Sequence, residues 1–377
     1  MGFLTDGLDY IVPFLVVLTV LVFVHELGHY LVARMNGVRI EVFSIGFGPE
    51  LFGWFDRAGT RWKFSAVPLG GYVKMFGDAD PMSMPGERLH AMTAAEREVS
   101  FHHKRLMQRT AVVAAGPVAN FVFALVVLSA LFATVGQPFT PADVGRVQPD
   151  SAAAAAGIKA GDVIVNIDGE KIARFEDVQR LVRLNTGTPM TIVLRRDGHD
   201  VTVNVTPRVT TLTDRFGNEH KLGLLGIERS GVTYVRRNPV AAVWDAGAET
   251  SNLVSGTLEA VWQMAIGVRN TDELGGPVRI AQMSGEVWQG GVVALLWFMA
   301  VLSVNLGLIN LFPIPVLDGG HLLFYAAEAI RGRPLGQRAQ EYGFRLGLAL
   351  VLTLMVFATW NDLVHLRIVE FIKGLIT

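Results

Sequence analysis

The residues best suited to chemistry are His25, Glu26 and His29, set in the run HELGH. On a helix, residues four apart leave the same face, so the two imidazoles can grip one ion while Glu26 stands beside them. Two histidines and a carboxylate at this spacing are the donors and the base of a zinc hydrolase centre. The imidazoles hold Zn²⁺, and the carboxylate takes a proton from a water that the metal acidifies. The surroundings sharpen the reading. HELGH lies inside the apolar run from Tyr10 to Met35. A charged group near the centre of a bilayer costs about 2.5 kcal/mol or more, so such groups are rarely placed there without a job. The alternative is a chance match or a satisfied pair of core histidines.

A zinc hydrolase needs one further protein ligand and an open position for water. The sequence has no Cys, so that ligand is His, Asp or Glu. The best supplier is NLFPIPVLDGGH, Asn310 to His321, at the end of a later apolar run. Pro313 and Pro315 stop the helix and expose backbone at membrane depth, which is tolerated only where it lines protein or a cavity. Asp318 follows at once, with His321 as the competing ligand. Asp318-Gly319-Gly320 also reads as a plain turn.

Apolar residues make up 51% of the chain and charged residues only 18%, with a formal net charge of −1. This balance favours a membrane protein and gives no footing for nucleic acid. The one basic cluster, His102 to Arg105, precedes an apolar run and reads as a membrane-flanking anchor. Residues 11–35, 110–135, 291–312 and 346–364 are each close to the 20 or so residues that a bilayer core of about 30 Å requires. The first has no basic residue ahead of it and no small-residue cleavage site behind it, so it reads as a retained helix. Ten Lys and Arg lie in residues 36–109 and four in 313–345, against none in 1–10. Those two loops are therefore expected in the cytoplasm, and the N-terminus, middle segment and C-terminus in the periplasm. His25 is then about 21 Å down its helix and about 9 Å from the cytoplasmic face, the level at which the third span ends.

Residues 38–75 alternate apolar and polar types, with a turn at 56–59 between strands near 51–55 and 61–67. Gly46, Gly48, Gly70 and Gly71 permit close backbone approach. The segment is either a small cytoplasmic hairpin or a sheet edge at the membrane, along 61–67, that receives a substrate strand; Gly70 and Gly71 are candidates for that contact. Residues 79–99 read as a loose linker. In GPVAN of the second span, Gly116, Ala119 and Asn120 suit close packing against another helix. Residues 141–208 are soluble in character. They predict strands at 163–167, 191–194 and 201–205, tight turns at Asp168-Gly169 and Asp197-Gly198, and a helix at 175–184. AGIKAGDVIVNIDG resembles bacterial PDZ domains, which implies a peptide groove between a strand edge and helix 175–184. Residues 238–267, with Trp244 and Trp262, suit a helix lying on the outer membrane face or packing on the PDZ-like domain.

The expected fold is a polytopic α-helical membrane protein with four transmembrane helices, a membrane-associated β-hairpin loop and one inserted periplasmic PDZ-like α/β domain. Its parts are the first span in 1–35, the β loop and linker in 36–109, the second span in 110–135 and the PDZ-like domain in 141–208. A periplasmic linker with an amphipathic helix follows in 209–290, then the third span and LDG loop in 291–345, and the fourth span and tail in 346–377.

HELGH, GFGP, PLGGYVKM, GPVAN, the single PDZ-like insert and NLFPIPVLDGG together resemble the bacterial site-2 protease family, of the regulator of sigma-E protease type, across nearly the whole chain. The resemblance implies an intramembrane zinc metalloprotease of the bacterial inner membrane, with His25, His29 and Asp318 on the metal and Glu26 as general base. It also implies that Asn310 contacts the substrate backbone, in a stretch shared with Pro313 and Pro315. The implied substrates are single transmembrane segments: anti-sigma factors already shortened by a first protease, and remnant signal peptides, in a stress response run by regulated intramembrane proteolysis. Expected partners are those single-span proteins, the lipid bilayer and a peptide ligand of the PDZ-like domain. Better-studied relatives carry two PDZ domains in tandem, and this sequence carries one. Two other readings use the same residues. A metal-ion transporter would need neither Glu26 nor a peptide-binding insert, and no inverted repeat is visible. A catalytically inactive scaffold working through the PDZ groove is disfavoured by the intact Glu26.

Overall fold

The computed structural model describes residues 2–78, 91–172, 174–185, 187–213, 219–231, 233–267 and 275–365. Most of the expected linker at 79–99, and the tail beyond 365, lie outside them.

Helix α1 (Gly2–Met35) carries HELGH near its C-terminal end. It closes at Gly37, which takes φ 69°, and the Val38 N–H returns to the Ala33 carbonyl at 2.9 Å. Strands β1 (Ile40–Phe55) and β2 (Arg61–Met75) are longer than the alternation suggests and fold back on themselves. Val42 to Ile45 pair with Lys74 to Gly71 on one side and with Arg61 to Phe64 on the other, while Phe52 to Phe55 pair with Phe64 to Arg61. The segment 61–64 is therefore interior, with neighbours on both sides. This corrects the expected edge along 61–67: the inner edge of the sheet is 71–75. The fold-back needs glycine at Gly46, where φ is 91° and a Cβ would stand 2.9 Å from the carbonyl oxygens of Ser65 and Val67.

Asp56 locks the turn between the strands. One carboxylate oxygen accepts the N–H groups of Ala58 and Thr60, both at 2.9 Å, and the other accepts the Tyr30 hydroxyl at 2.8 Å and the Trp62 indole N–H at 3.0 Å. Burial pushes this carboxyl up, but the four donors outweigh it and hold its pKa at about 2. Phe43 stacks on Trp62 at 4.1 Å and meets Tyr30 edge-on at 5.7 Å, so the sheet is seated on α1. Ala33, Ile40, Phe43, Val73, Met75, Phe101 and Val112 form the core beneath.

Helix α2 (Ala94–Val99) is short and capped by Thr93 and Glu96. Helix α3 (Leu106–Thr134) is the second long apolar helix. It meets α1 backbone to backbone: a Cβ on Gly28 would lie 2.3 Å from the Ala115 carbonyl oxygen.

The next elements are β3 (Gln137–Phe139), β4 (Val144–Val147), α4 (Ala152–Ala155), β5 (Val163–Ile167), β6 (Glu170–Lys171), α5 (Phe175–Leu184), β7 (Met190–Arg196), β8 (His199–Val205), β9 (Arg208–Thr213), β10 (Glu219–Leu224), β11 (Ile227–Arg229) and β12 (Thr233–Val235). One sheet runs in the order β6-β5-β7-β8. Its two tight turns put Asp168-Gly169 and Asp197-Gly198 at positive φ, as the Asp-Gly pairs predict. Val144, Ile164, Ile167, Val178, Ile192 and Leu194 fill its core. The Arg196 guanidinium grips Asp162 at 2.7 Å and holds that carboxyl below its ordinary pKa. The expected linker beginning at 209 is corrected. β9 pairs with β10, β11 with β4 and β12 with β3, so the described parts of 208–235 belong to this unit. Strands of three residues such as β11 and β12 carry too little alternation to be read from sequence.

Helix α6 (Pro239–Ala265) is capped by Asn238 and exposes Trp244 and Trp262. Helix α7 (Pro277–Gln289) also lay within the expected linker. It packs against α1, and the buried Asp362 accepts the main-chain N–H groups of Gly276, Val278 and Arg279 at its start, at 2.9, 3.0 and 3.0 Å. Helices α8 (Val292–Asn310), α9 (Asp318–Arg331) and α10 (Gln337–His365) complete the described chain. α9 replaces the expected loop. Asp318 stands in its first turn, where a negative charge is favourable, and Gly319 and Gly320 are pressed against the carbonyls of Leu311, Phe312 and Ile314.

Two compact units result, one from Met1–Ser129, Val243–Thr257 and Asp272–Thr377, the other from Ala130–Ala242 and Leu258–Thr271. Among the described residues, Asp9–Met35, Leu106–Thr134, Val292–Asn310 and Arg338–Leu363 are long and apolar enough to cross a membrane. The protein buries only 11% of the last of these over its apolar window, and Leu346 is 73% exposed; a surface of this kind is built for lipid.

Candidate active site

The last turns of α1, the start of α9 and the middle of α3 converge on one point. His25 Nε2 lies 3.1 Å from one oxygen of Asp318, His29 Nε2 lies 3.5 Å from the other, and the two Nε2 atoms are 3.2 Å apart. These are the three residues, among those described, that could jointly hold a metal. Both histidines are supported from behind by α3. His29 Nδ1 meets the Val112 carbonyl at 2.9 Å, and His25 Nδ1 meets the Asn120 side chain at 3.2 Å. A carbonyl only accepts, so His29 Nδ1 carries a proton, which leaves Nε2 as the nitrogen of that ring able to ligate a metal.

The donor set fits zinc. Bonds of about 2.0–2.1 Å in a tetrahedron set ligand atoms about 3.3 Å apart; the two Nε2 atoms are 3.2 Å apart, and each has a different Asp318 oxygen within 3.5 Å. Two further features hold the geometry. Gly116 leaves the space the rings occupy, since a Cβ there would lie 2.3 Å from His29 Nε2 and 2.8 Å from His25 Cε1. Val316, two residues before Asp318, takes φ 99°, an uncommon conformation for a β-branched residue and a local strain beside the site.

A cavity of about 510 Å³ opens onto the trio, lined in part by Glu26, Phe47, Gly71, Tyr72, Asn310 and His321. Glu26, Gly71 and Asn310 thus line one cavity with the histidines and Asp318. Gly70, Pro313 and Pro315 are not among the residues that line it. Gly70 faces the Phe47 ring, and Pro315 backs onto α10. His321 lines the cavity but is outside the metal trio, with its ring 5.2 Å from that of Phe344. Asn120 was legible only as a packing residue; the signal for more was a fully polar amide one turn after Gly116 inside an apolar span. Within the second unit, a groove of about 220 Å³ runs between α5, through Phe175, Val178 and Val182, and the segment Leu224 to Ile227.

Apolar helices packed around a half-buried His-His-Asp trio, with a glutamate in the same cavity, define a membrane-embedded metallopeptidase. The chain belongs to peptidase family M50, which residues 13–354 match, and is a zinc-dependent protease. It is 50% identical over 367 residues, 96% of this chain and 97% of the other, to the Agrobacterium fabrum protein named "Putative zinc metalloprotease Atu1380". It is 39% identical to Metalloprotease MmpA of Caulobacter vibrioides, over 97% of this chain and 98% of that one. Among solved structures, the PDZ domain of the SdrC-like protein from Listeria monocytogenes matches 24% of this chain and 88% of its own at 21% identity, with a TM-score of 0.19, too low to carry weight.

Proposed function

We propose that this protease cuts within the membrane, hydrolysing transmembrane segments of single-span proteins in the bacterial inner membrane. Candidate substrates are anti-sigma factors already shortened by a first protease, and remnant signal peptides. The observation that carries the reading is the position of the trio, inside the apolar helix α1 and against the apolar helix α3. His25, His29 and Asp318 hold the metal. Bound there, zinc would supply a Lewis acid for the hydrolysis. Glu26 is placed to take a proton from the attacking water and to pass it to the departing amine. Asn310 holds the substrate main chain from one side of the cavity, and the sheet edge 71–75 holds it from the other. The charge bias of the loops puts residues 36–109 and 313–345 in the cytoplasm, and the N-terminus, the PDZ-like unit and the C-terminus in the periplasm. There the groove beside α5 selects or delays substrates by binding an extended peptide.

The test compares membranes of cells carrying wild-type protein and Glu26→Gln. The variant keeps zinc, loses roughly 10² to 10⁴ in rate and accumulates single-span fragments. His25→Ala, His29→Ala and Asp318→Ala lose zinc, whereas His321→Ala retains it. Cleavage near the wild-type rate by Glu26→Gln, or zinc lost through His321 and not Asp318, would overturn these assignments.

A further inference from the structure

We infer that Asn120 is a positioning residue of the metal centre. Its side-chain oxygen accepts the Nδ1–H of His25 and so fixes the tautomer whose Nε2 points at Asp318 and His29. The inference rests on His25 being a metal ligand.

Asn120 is wholly buried in α3. Its main-chain carbonyl accepts the Ser303 hydroxyl of α8 at 2.9 Å, which pins the residue between two helices and leaves its amide facing α1. In the structure Nδ2 is the atom placed 3.2 Å from His25 Nδ1, while Oδ1 is buried with no hydrogen-bond partner among the described residues. Those two facts share one resolution. A neutral imidazole that gives its Nε2 lone pair to a metal carries its proton on Nδ1 and donates there. A donor cannot face the Nδ2 donor. Oxygen and nitrogen of an amide are told apart by their partners, and a half-turn of the Asn120 amide sets the orphaned oxygen on the Nδ1–H. Both histidines then work alike: each donates Nδ1–H to an oxygen of α3 and turns Nε2 to Asp318. The difference is that His29 uses the main chain at Val112, which mutation cannot remove, whereas His25 depends on one side chain.

The test measures zinc affinity of the purified full-length protein by chelator competition, alongside the absorption spectrum of the cobalt-substituted form. Asn120→Leu keeps the bulk and removes the acceptor, and binds zinc about 10- to 100-fold more weakly, with an altered cobalt spectrum. Asn120→Asp keeps an acceptor in place and restores affinity to within a few-fold of wild type. A packing role gives the opposite order, with the leucine tolerated and the buried carboxylate harmful, and would overturn the inference. Should Asn120→Leu fail to fold, Asn120→Ala against Asn120→Asp decides by the same order. His25→Ala separates the two levels. If it loses zinc while Asn120→Leu does not, the inference alone fails; if His25→Ala binds zinc like wild type, the metal assignment fails with it.

Discussion

Gly347 of α10 lies directly against the Pro315 carbonyl: a Cβ built on it would stand 1.7 Å from that oxygen, and one on Gly343 would stand 3.7 Å from the proline ring. The fourth span thus supports the loop from which Asp318 enters the site. Gly347→Ala forces either the helix or the loop to move. We expect a loss of about 1–3 kcal/mol in stability, the usual toll of overpacking, together with reduced zinc content as Asp318 shifts. Gly336→Ala, with nothing within 4 Å of its Cβ, is the control. Thermal unfolding and bound zinc, measured together, check this; an inert Gly347→Ala would show that the loop is held some other way.

Gly116→Ala should separate the metal centre from the fold. Alanine is the better helix former by about 1 kcal/mol, so α3 itself is not weakened. The added Cβ nevertheless occupies the place of the His29 ring. The expected outcome is unchanged helix content by circular dichroism with at least tenfold weaker zinc binding. Normal zinc binding would mean that the two rings can shift together without loss.

Asp56 gives the β loop a pH dependence with a definite sign. Its folded pKa, about 2, is below the ordinary 3.8, so its contribution is complete above about pH 4 and is lost as pH falls through the interval down to about 2. Trp62 fluorescence, followed from pH 5 to pH 2, should report release of the turn in the wild type. In Asp56→Ala the turn is already loosened at pH 7 and that transition is absent. An identical acid transition in both proteins would assign it to another group.

The sidedness of the loops can be read by thiol labelling, since the chain has no native cysteine. Gly59 and Gly198 hold positive φ, at 84° and 81°, so cysteines belong at their exposed neighbours Ala58 and His199. An impermeant reagent added to intact spheroplasts should label His199→Cys and leave Ala58→Cys unreacted until the membrane is opened. The reverse would overturn the assignment from loop charge.

What the sequence disclosed follows from how local each feature is. His25, Glu26 and His29 share one turn of helix, so spacing alone places them together. Asp318 was reachable because proline stops and loop charge set the end of its span at the depth of His25. The Asn120 contact to His25 joins residues 95 apart, and a polar amide inside an apolar span signals a role without saying which distant residue it faces. Helix α9 was hidden because Asp-Gly-Gly is turn chemistry, overridden by the close packing of those glycines under Leu311 and Ile314. The sheet order was hidden because alternation reports which face is buried, and is silent on which of two partners Val42 to Ile45 will take on each side.

That sheet order decides how a helix could be cut. A transmembrane helix hides its peptide bonds in its own hydrogen bonds, and unwinding a turn in lipid strands backbone groups at several kcal/mol each unless partners are offered. The strand 61–64 cannot offer them, being flanked on both sides, whereas Gly71, Tyr72, Val73 and Met75 line the cavity that holds Glu26. A substrate strand laid along 71–75, with Asn310 opposite, would expose its carbonyl beside the trio. Substrates that unwind easily, through Gly or Pro near the cut, should therefore be preferred over a Leu-rich helix. In the same enzyme background, with Glu26→Gln to hold substrate, a cysteine at Tyr72 should cross-link to one near the scissile bond, and a cysteine at Lys63 should not. Cross-linking from Lys63 as strong as from Tyr72, or equal cleavage of helices with and without a central Gly, would remove the edge at 71–75 from the path of the substrate.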